Sequence, residues 1–402
     1  MNTCGNKEWK ERGDKVFIGT YARYPAAMVK GSGCRLIDAD GKEYLDFLSG
    51  IAVCALGHCH PAVTEAIRQQ AGQLVHVSNL YYTEPQIRLA ELLTGNSFGE
   101  RIFLANSGAE ANEAAIKLAR IYSGAGRYQV ISLAGSFHGR TLATVAATGQ
   151  PKFHKGFEPL PEGFIHAPFG DLEALAAMIS DKTCAILVEP LQGEGGVRPL
   201  DKEYLRGIKA LCDQHRLLLI FDEIQTGLGR TGTLFAYEQL GVTPDILTMA
   251  KALGNGLPIG AMMTRADIAA ALTPGTHAST FGGNPVASAA AVAVLSIMLA
   301  DEFFPEVRRK GAYFQEELTK LSTRFPAFIS SVRGMGLLIG AVLTDQGATQ
   351  GQAIVTKMFE RGFLMNFAGN VALRFVPPLI VTTEEIDILV AALGEVLAEI
   401  DG

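Results

Sequence analysis

Two residues near the middle of the chain carry side chains suited to covalent chemistry on a small molecule. Lys251 follows the apolar run 246–249 and precedes a glycine-rich turn, and Asp222 follows the apolar run 217–221. Each has an ordinary explanation, a lysine that reaches solvent or a carboxylate that caps a helix. The two lie about one strand–helix–strand crossover apart, so we expect them to converge at neighbouring strand ends.

The segment NSGAEANE, residues 106–113, predicts a helix start that suits an anion. Ser107 and Glu110 have the spacing of a capping box, which an ordinary capped helix would also show. The small residues Ser107, Gly108 and Ala109 leave backbone N–H groups open to a phosphate. An amine able to form an imine, a carboxylate for a ring nitrogen and a phosphate site together describe pyridoxal 5'-phosphate binding.

Other segments carry residues that suit the same ligand. Phe137 in GSFHGRT is placed to lie over a cofactor ring, and Arg140 to hold a carboxylate, unless they are plain core and surface residues. The segment 279–285, STFGGNP, offers a second phosphate contact or an ordinary turn. Arg374 lies in an apolar run where its charge needs an anion, either from the substrate or from a residue such as Glu194.

Several other functions find no support in the sequence. His58 and His60 have no second pair at zinc-like spacing and there is no His-Glu-x-x-His motif, so we expect no metal. No dinucleotide fingerprint, Walker A sequence or nucleophile elbow occurs. With Lys+Arg 35, Asp+Glu 41 and a net charge of −6, the chain lacks the positive field that nucleic acid or an anionic membrane requires.

The elements that must position these residues alternate between short apolar runs and helical patterns from about residue 100 to 265. Strands are predicted at 101–105, 129–133, 184–188, 217–221, 246–249 and 259–264, and helices at 109–121, 171–179 and 202–215. Runs this apolar predict a mostly parallel sheet covered on both faces. Ligands bind beyond the carboxyl ends of strands in such sheets.

The two ends of the chain predict a second, smaller α+β domain. A hairpin is indicated around Asp40, and the last hundred residues mix helical patterns at 302–324, 349–361 and 383–400 with strands near 337–343 and 371–376. We therefore expect residues 1–60 and 301–402 to form the two parts of the small domain. Residues 61–300 would form the large, cofactor-binding domain.

Composition indicates a large globular core in a reducing compartment. The chain has 402 residues, 48% hydrophobic and 19% charged. Six cysteines without a Cys-x-x-Cys motif and a polar start without a secretory signal favour the cytoplasm. The apolar run 286–300 is shorter than the roughly 18 residues of a membrane span. It predicts a buried helix with Asn284 as N-cap and Pro285 at the first helical position.

Taken together, the motifs resemble those of the class III (subgroup II) aminotransferases of the fold-type I pyridoxal-phosphate superfamily. The resemblance runs through YLDFLSGIAV, ALGHCHP, NSGAEANEAAIKLAR, SFHGRT, VEPLQGEGGV, LIFDEIQTGLGRTG, AKALGNGLPIGA, STFGGNP and LRFVPPL, in this order. It implies an α/β fold with a mostly parallel seven-stranded sheet in the large domain. It also implies pyridoxal 5'-phosphate as cofactor and a homodimer with its active sites at the interface.

The resemblance also implies cofactor contacts at individual positions. Lys251 would hold the cofactor as an internal aldimine and, once free, move a proton between substrate and cofactor. Asp222 would pair with the ring nitrogen, and Gln225 would approach the phenolic oxygen. The other implied contacts are those of Ser107, Gly108, Ala109, Phe137, His138, Glu223, Ile224 and, from the neighbouring subunit, Thr280.

The activity implied is transfer of an amino group from a small-molecule donor to 2-oxoglutarate in a ping-pong cycle. Arg140 and Ser279 resemble donor-binding positions. Arg374, switched by Glu194, resembles the clamp for the α-carboxylate of glutamate or 2-oxoglutarate. The implied donor is N2-acetyl-L-ornithine, with succinylornithine, ornithine, 4-aminobutyrate or a same-fold aminomutase reaction as alternatives.

Two positions bear on the choice of donor. Ile51 stands where ornithine δ-aminotransferases have a tyrosine thought to hold the free α-amine, and an apolar residue suits an acylated amine better. Cys54 stands where the related enzymes usually have asparagine, which changes contacts near the entrance of the site.

Overall fold

The computed structural model describes residues 4–401 of the chain. Its helices are α1 (Asn6–Val16), α2 (Ser49–Ala52), α3 (Pro61–Ala71), α4 (Glu84–Gly95), α5 (Gly108–Ser123), α6 (Leu142–Ala147), α7 (Leu172–Ala177), α8 (Lys202–His215), α9 (Tyr237–Leu240), α10 (Ala266–Ala269), α11 (Pro285–Met298), α12 (Phe303–Arg324), α13 (Asp345–Glu360) and α14 (Thr383–Asp401). Two short 3-10 helices cover Pro151–Phe153 and Lys251–Gly254.

The strands form one large sheet and three smaller ones. They are β1 (Met28–Ser32), β2 (Arg35–Asp38), β3 (Glu43–Asp46), β4 (Arg101–Ala105), β5 (Gln129–Leu133), β6 (Phe164–Ala167), β7 (Thr183–Val188), β8 (Leu191–Gln192), β9 (Arg198–Pro199), β10 (Leu218–Asp222), β11 (Ile246–Met249), β12 (Gly260–Thr264), β13 (Ile329–Met335), β14 (Leu338–Leu343), β15 (Phe363–Leu364), β16 (Asn366–Ala368) and β17 (Ala372–Phe375).

The large sheet has seven strands in the order β4-β12-β11-β10-β7-β5-β6. All neighbours pair in parallel except β12, which is antiparallel to both β4 and β11. The predicted mostly parallel seven-stranded α/β sheet is therefore confirmed. Asp222 at the end of β10 stands opposite Thr248 of β11, so residues that follow the two strands meet at one edge.

Helices cover both faces of this sheet because its strands are apolar on both faces. Every residue of β7 and β10 is buried. One hydrophobic cluster joins Ala114 and Leu118 of α5 to strand residues, and another joins Ile208 of α8 to residues from the same strands. A two-sided apolar strand must be covered in this way, since either bare face would remain in contact with water.

The run 286–300 forms a buried helix, as predicted. Asn284 accepts hydrogen bonds from the N–H groups of Val286 and Ala287 at 2.9 and 3.3 Å, and Pro285 is the first residue of α11. α11 packs against α3 and α4. Within residues 4–401 no single helix has the length and hydropathy of a membrane span, and α11 with α12 meets that test only as a pair bent by 74°.

The ends of the chain meet in the smaller sheets. The predicted hairpin is β2 paired with β3, and β15 from the C-terminal region adds to it in parallel through Phe363 opposite Leu45. A second sheet has the order β13-β14-β17-β16. The helix predicted at 349–361 begins earlier, at Asp345, because Thr344 accepts a hydrogen bond from Gly347 N and caps it there. Strand β13 and helix α1 were not predicted.

Candidate active site

A cavity of about 340 Å³ lies at the carboxyl ends of β10 and β11. It is lined by residues from several separate segments, and it contains most of the positions singled out from the sequence: Ser107, Gly108, Ala109, Phe137, His138, Glu194, Asp222, Ile224, Gln225 and Lys251. Its volume is that of an ordinary small-molecule site.

Lys251 lies in this cavity directly after β11. Its backbone is in the left-handed region at φ 43°, a conformation that non-glycine residues rarely adopt. Removal of the amine from bulk water lowers the pKa of Lys251 from 10.5 to about 8, although the carboxylate of Glu194 opposes the shift. About a tenth of the amine is therefore neutral and nucleophilic at pH 7, far more than for a lysine in water.

Asp222 is oriented by a buried hydrogen-bond network. Its Oδ2 accepts from Asn112 Nδ2 at 2.7 Å and contacts His138 Nδ1 at 2.8 Å, while its Oδ1 accepts from Ile224 N at 3.1 Å. Thr248 Oγ1 donates to Asn112 Oδ1 at 2.7 Å and fixes the orientation of that amide. Apart from His138, no cationic side chain lies within 4 Å of Asp222 in the part of the chain that the structure describes. The carboxylate is thus placed to meet a cationic group in the cavity.

The amino end of α5 opens into the same cavity. Ser107 caps the helix by accepting from Glu110 N at 3.2 Å, as expected. The reciprocal half of the predicted capping box is wrong, because the Glu110 carboxylate accepts from Asn106 N at 2.6 Å instead of from Ser107 N. The first N–H groups of a helix have no partner within the helix, so those of Gly108 and Ala109 remain available to an anion.

Gly108 is required by close packing at this helix start. A Cβ at position 108 would lie 2.7 Å from Cδ1 of Ile224, whose side chain lines the cavity. A side chain there would push Ile224 into the site or move the helix away from it. The absence of a side chain at position 108 therefore lets the start of α5 pack closely against the segment that follows Asp222.

Phe137 and Glu189 form one wall of the cavity. Glu189 Oε2 accepts from Phe137 N at 3.0 Å, which fixes the backbone that carries the aromatic ring. Burial and the charge of Asp222 raise the pKa of Glu189 well above its usual value. Arg140 is exposed and lies over the rings of Phe153, at 4.0 Å, and Phe137, at 5.4 Å.

An ion pair joins the lining residue Glu194 to a buried arginine. Arg374 is fully buried and donates from Nη1 to Glu194 Oε1 at 2.6 Å and to Gln225 Oε1 at 3.1 Å, while its Nε donates to Asn366. Burial raises the pKa of Glu194, but the charges of Arg374 and Lys251 and the hydrogen bonds to Arg374 and Gln225 together hold that pKa below its usual value. The Nη2 group of Arg374 has no partner among residues 4–401, so the guanidinium retains a donor for a second anion.

Five residues of the predicted site lie outside the cavity lining. Glu223 accepts hydrogen bonds from the N–H groups of Ala236 and Tyr237, so its carboxylate fixes the start of α9 and does not face the cavity. Ser279 accepts from Asn106 Nδ2 at 3.1 Å, one contact from the cavity. Arg140 lies over the lining residue Phe137, and Arg374 donates to the lining residues Glu194 and Gln225. Thr280 is exposed and lines a separate small cleft with Phe281.

Asn112, Thr248, Glu189 and Val53 were not identified from the sequence. Asn112 follows the predicted helix start at a spacing that faces it inward, and a buried polar residue there was a usable signal. Glu189 directly follows the apolar strand β7, as Asp222 ends β10. Val53 lines the cavity from a distant segment and gave no sequence signal.

The donor set fits pyridoxal 5'-phosphate. An amine with a lowered pKa, a carboxylate with a free side toward the cavity and unpaired N–H groups at a helix start all line one space of suitable size. Lys251 would bond to the aldehyde carbon, Asp222 would face the ring nitrogen, and Gly108 and Ala109 would face the phosphate. Phe137 stands on the same wall as a face for the ring.

Fold and site together define a pyridoxal-phosphate-dependent enzyme of fold-type I. The family model for aminotransferase class-III matches residues 19–397. The chain therefore belongs to the class-III aminotransferases, and it is a transaminase that uses pyridoxal 5'-phosphate.

Similar proteins cover almost the whole chain. An acetylornithine aminotransferase from Caldanaerobacter subterraneus subsp. tengcongensis is 51% identical over 390 residues, 96% of this chain and 98% of the relative. A succinylornithine transaminase from Salmonella typhimurium is 50% identical over 381 residues, 94% of this chain and 93% of the relative. The ornithine aminotransferase of Toxoplasma gondii, with partial occupancy of PLP at its active site, matches at TM-score 0.94 and 34% identity, covering 100% of this chain and 96% of its own.

Proposed function

We propose that the enzyme transfers the δ-amino group of N2-acetyl-L-ornithine to 2-oxoglutarate, giving N-acetyl-L-glutamate 5-semialdehyde and L-glutamate, a reaction of arginine biosynthesis. The observation that carries the proposal is the cavity in which Lys251, Asp222 and the α5 helix start meet. The name and 51% identity of the Caldanaerobacter relative support this donor.

The proposed choice of donor is supported by residue 51, which precedes the lining residue Val53 in the chain. Ile51 offers no polar partner for a free α-amine, which favours a donor whose α-amine is acylated. Arg140 and Ser279 would bind the donor carboxylate and acyl group from the margin of the cavity. The Ser279 hydroxyl, which Asn106 already contacts, is one contact from the lining, and Arg140 lies over Phe137.

The proposed reaction requires a base that moves a proton from the donor carbon and a carboxylate that stabilises the charge on the cofactor ring nitrogen. The bound cofactor supplies an aldehyde that exchanges with amines and an electron sink for the carbon that loses its proton. Lys251, whose amine is about half neutral at pH 8, would take that proton from the donor carbon and return it on the cofactor side. Asp222, oriented by Asn112 and His138, stabilises the positive ring nitrogen throughout.

The second half-reaction needs a site for a dicarboxylate. We assign the α-carboxylate of glutamate or 2-oxoglutarate to Arg374, with Glu194 swinging aside when it binds. The ion pair at 2.6 Å and the unpaired Nη2 support this exchange of one anion for another. With acetylornithine bound, Glu194 would stay on Arg374 and keep the guanidinium neutralised.

We propose that the enzyme acts as a cytoplasmic homodimer with active sites at the interface. Thr280 is exposed and lines no part of its own cavity, which supports a role for it in the site of the partner. We keep residues 1–60 and 301–402 as the small domain and 61–300 as the large one. The pairing of β3 with β15 supports the joining of the two ends.

A panel of amino donors tests the proposal directly. With 2-oxoglutarate as acceptor, kcat/KM for N2-acetylornithine should exceed that for ornithine and 4-aminobutyrate by at least about tenfold. Lys251→Ala should abolish turnover with every donor. A preference for ornithine would overturn the assigned donor while leaving the transaminase assignment intact.

Succinylornithine is the second candidate donor, because the Salmonella relative of that name is 50% identical. An apolar Ile51 suits either acyl group, so the panel must contain both donors. A same-fold aminomutase reaction would show turnover without any 2-oxoacid acceptor.

A further inference from the structure

The segment α2 is a left-handed turn beside the active site. Ser49, Gly50, Ile51 and Ala52 have φ values of 47°, 66°, 65° and 62°. Crowding between Cβ and the carbonyl oxygen disfavours this conformation for every residue except glycine, and most of all for β-branched Ile51. Such a turn persists only where its surroundings hold it, and strain of this kind concentrates at functional sites.

Asp46 holds the start of the turn. Its Oδ1 accepts from Leu48 N at 2.8 Å and from Ser49 N at 2.7 Å. The Ser49 hydroxyl donates to the carbonyl oxygen of Val376 at 2.6 Å, which ties the turn to the strand segment that follows Arg374.

His58 in turn orients Asp46. Its Nε2 lies 2.7 Å from Asp46 Oδ2, and it is the one cationic group within 4 Å of that carboxylate in residues 4–401. The backbone of His58 is fixed by reciprocal hydrogen bonds with Gly33 at 2.8 and 3.1 Å. The hydrogen bond to Asp46, with a second to Cys54, raises the pKa of His58 to about 10, so His58 and Asp46 carry opposite charges.

The turn leads into the site on its far side. Val53, which lines the cavity with Lys251, donates its N–H to Ser49 O at 2.9 Å. Asn255, just after the Lys251 segment, accepts from Leu56 N at 2.8 Å and donates to Gly57 O at 3.0 Å. A shift of the turn is therefore transmitted to the cavity wall.

We propose that His58 is a positioning residue for donor choice: through Asp46 it holds the left-handed turn that carries Ile51 and leads into Val53. The inference rests on the proposed function, because the donor being discriminated has a free ω-amine and an acylated α-amine. It assigns to His58 no contact with substrate or cofactor.

A pair of variants at position 58 separates this role from a purely structural one. His58→Phe removes the donor to Asp46, and His58→Gln keeps an N–H near the position of Nε2. We expect His58→Phe to raise KM for N2-acetylornithine about tenfold. It should leave the glutamate half-reaction and the cofactor absorbance within about twofold of the parent enzyme. His58→Gln should restore most of the donor KM.

His215→Phe serves as the matched control, because His215 is exposed at the end of α8 and should leave both constants unchanged. Thermal unfolding of all variants reports whether the fold is retained. If His58→Phe impairs both half-reactions equally, or if His58→Gln restores nothing, the inference is overturned.

A double-mutant cycle with Ile51→Ala gives a second test. If His58 acts through the turn, the combined effect on donor KM should be about tenfold smaller than the product of the single effects. Independent effects would refute the inference. If the parent enzyme prefers another donor, the proposed function fails, and the same cycle run on that donor still decides the role of His58.

Discussion

At the scale of single residues, the pKa of the Lys251 amine is set by its burial in the cavity. The same lysine on the surface would be almost entirely protonated near neutral pH. In the cavity, loss of hydration disfavours its ammonium form and brings the pKa to about 8. This shift accounts for the ability of one amine to exchange with others under physiological conditions.

The shift predicts a pH dependence for cofactor uptake. The neutral amine is the reactive form, and it dominates above the lowered pKa of about 8 instead of above 10.5. The rate at which cofactor-free protein takes up pyridoxal 5'-phosphate should therefore rise with pH, with a midpoint near 8. Stopped-flow absorbance measures this rate, and Lys251→Ala provides the blank. A midpoint near 10 would contradict the assignment.

The hydrogen bonds of Asn112 should contribute to both stability and cofactor binding, because they orient Asp222. Asn112→Leu removes donors to Asp222 Oδ2 and His138 O, and a lost hydrogen bond to a charged group costs about 1.5–3 kcal/mol. We expect a lower melting temperature and cofactor binding weakened by about tenfold or more. Thr248→Val, which removes only the bond to Asn112, should show the same effects at smaller size. Unchanged cofactor affinity in Asn112→Leu, measured by titration, would argue against the network.

At the scale of elements, the site depends on how closely β12 approaches the start of α5. A Cβ on Gly260, the first residue of β12, would lie 2.3 Å from the carbonyl oxygen of Ser107. Because β12 is bound on both sides by β4 and β11, it has no freedom to move away. The helix start that we propose faces the phosphate is thus positioned by a strand packed against it.

Gly260→Ala should therefore displace the phosphate site. Overpacking of this kind costs about 1–3 kcal/mol, and the free energy of unfolding should fall by that amount. Cofactor affinity should fall about tenfold, since the N–H groups of Gly108 and Ala109 move with the helix. Gly95→Ala, at a position with open space around it, is the matched control. Equal behaviour of the two variants would show that the close approach is unimportant.

At the scale of the whole molecule, the surface carries large apolar side chains that a single chain leaves in water. Tyr82 is 94% exposed, Leu80 84% and Phe281 61%, and helix α1 has no buried residue. Large exposed apolar side chains, where they lie together, are typical of interfaces. Phe281 lies next to Thr280, so the same surface would bring Thr280 to a second copy of the chain.

Mixed subunits test the proposed dimer. Thr280→Asp would place a negative charge near the partner's phosphate and inactivate the enzyme by repulsion. A dimer of one Lys251→Ala and one Thr280→Asp subunit should contain one intact site, because the subunit with Lys251 receives the natural Thr280. Activity of mixed, re-associated variants, compared with each variant alone, measures this. Absence of any recovery in confirmed mixed dimers would place Thr280 in its own subunit's site.

Local pattern and spacing were enough for much of the large domain. The apolar runs before Asp222 and Lys251 predicted two parallel strands whose ends meet. A strand that is buried on both faces has apolar residues at consecutive positions, so its sequence is a continuous apolar run. The N-cap at Asn284 was predicted because its side chain bonds only to its own helix. Each such feature depends on residues close together in the chain.

Other features depend on which distant segments come into contact. Insertion of antiparallel β12 between β4 and β11, the choice of Asn106 N as partner for Glu110, and the joining of β3 to β15 have no local signal. The same holds for the ion pair of His58 with Asp46 and for the lowered pKa of Lys251. Residue types and their order therefore determined the chemistry and the class of sheet. Tertiary structure decided the pKa of Lys251 and the pairing of His58 with Asp46, because burial and electrostatic contact arise only when separate segments pack together.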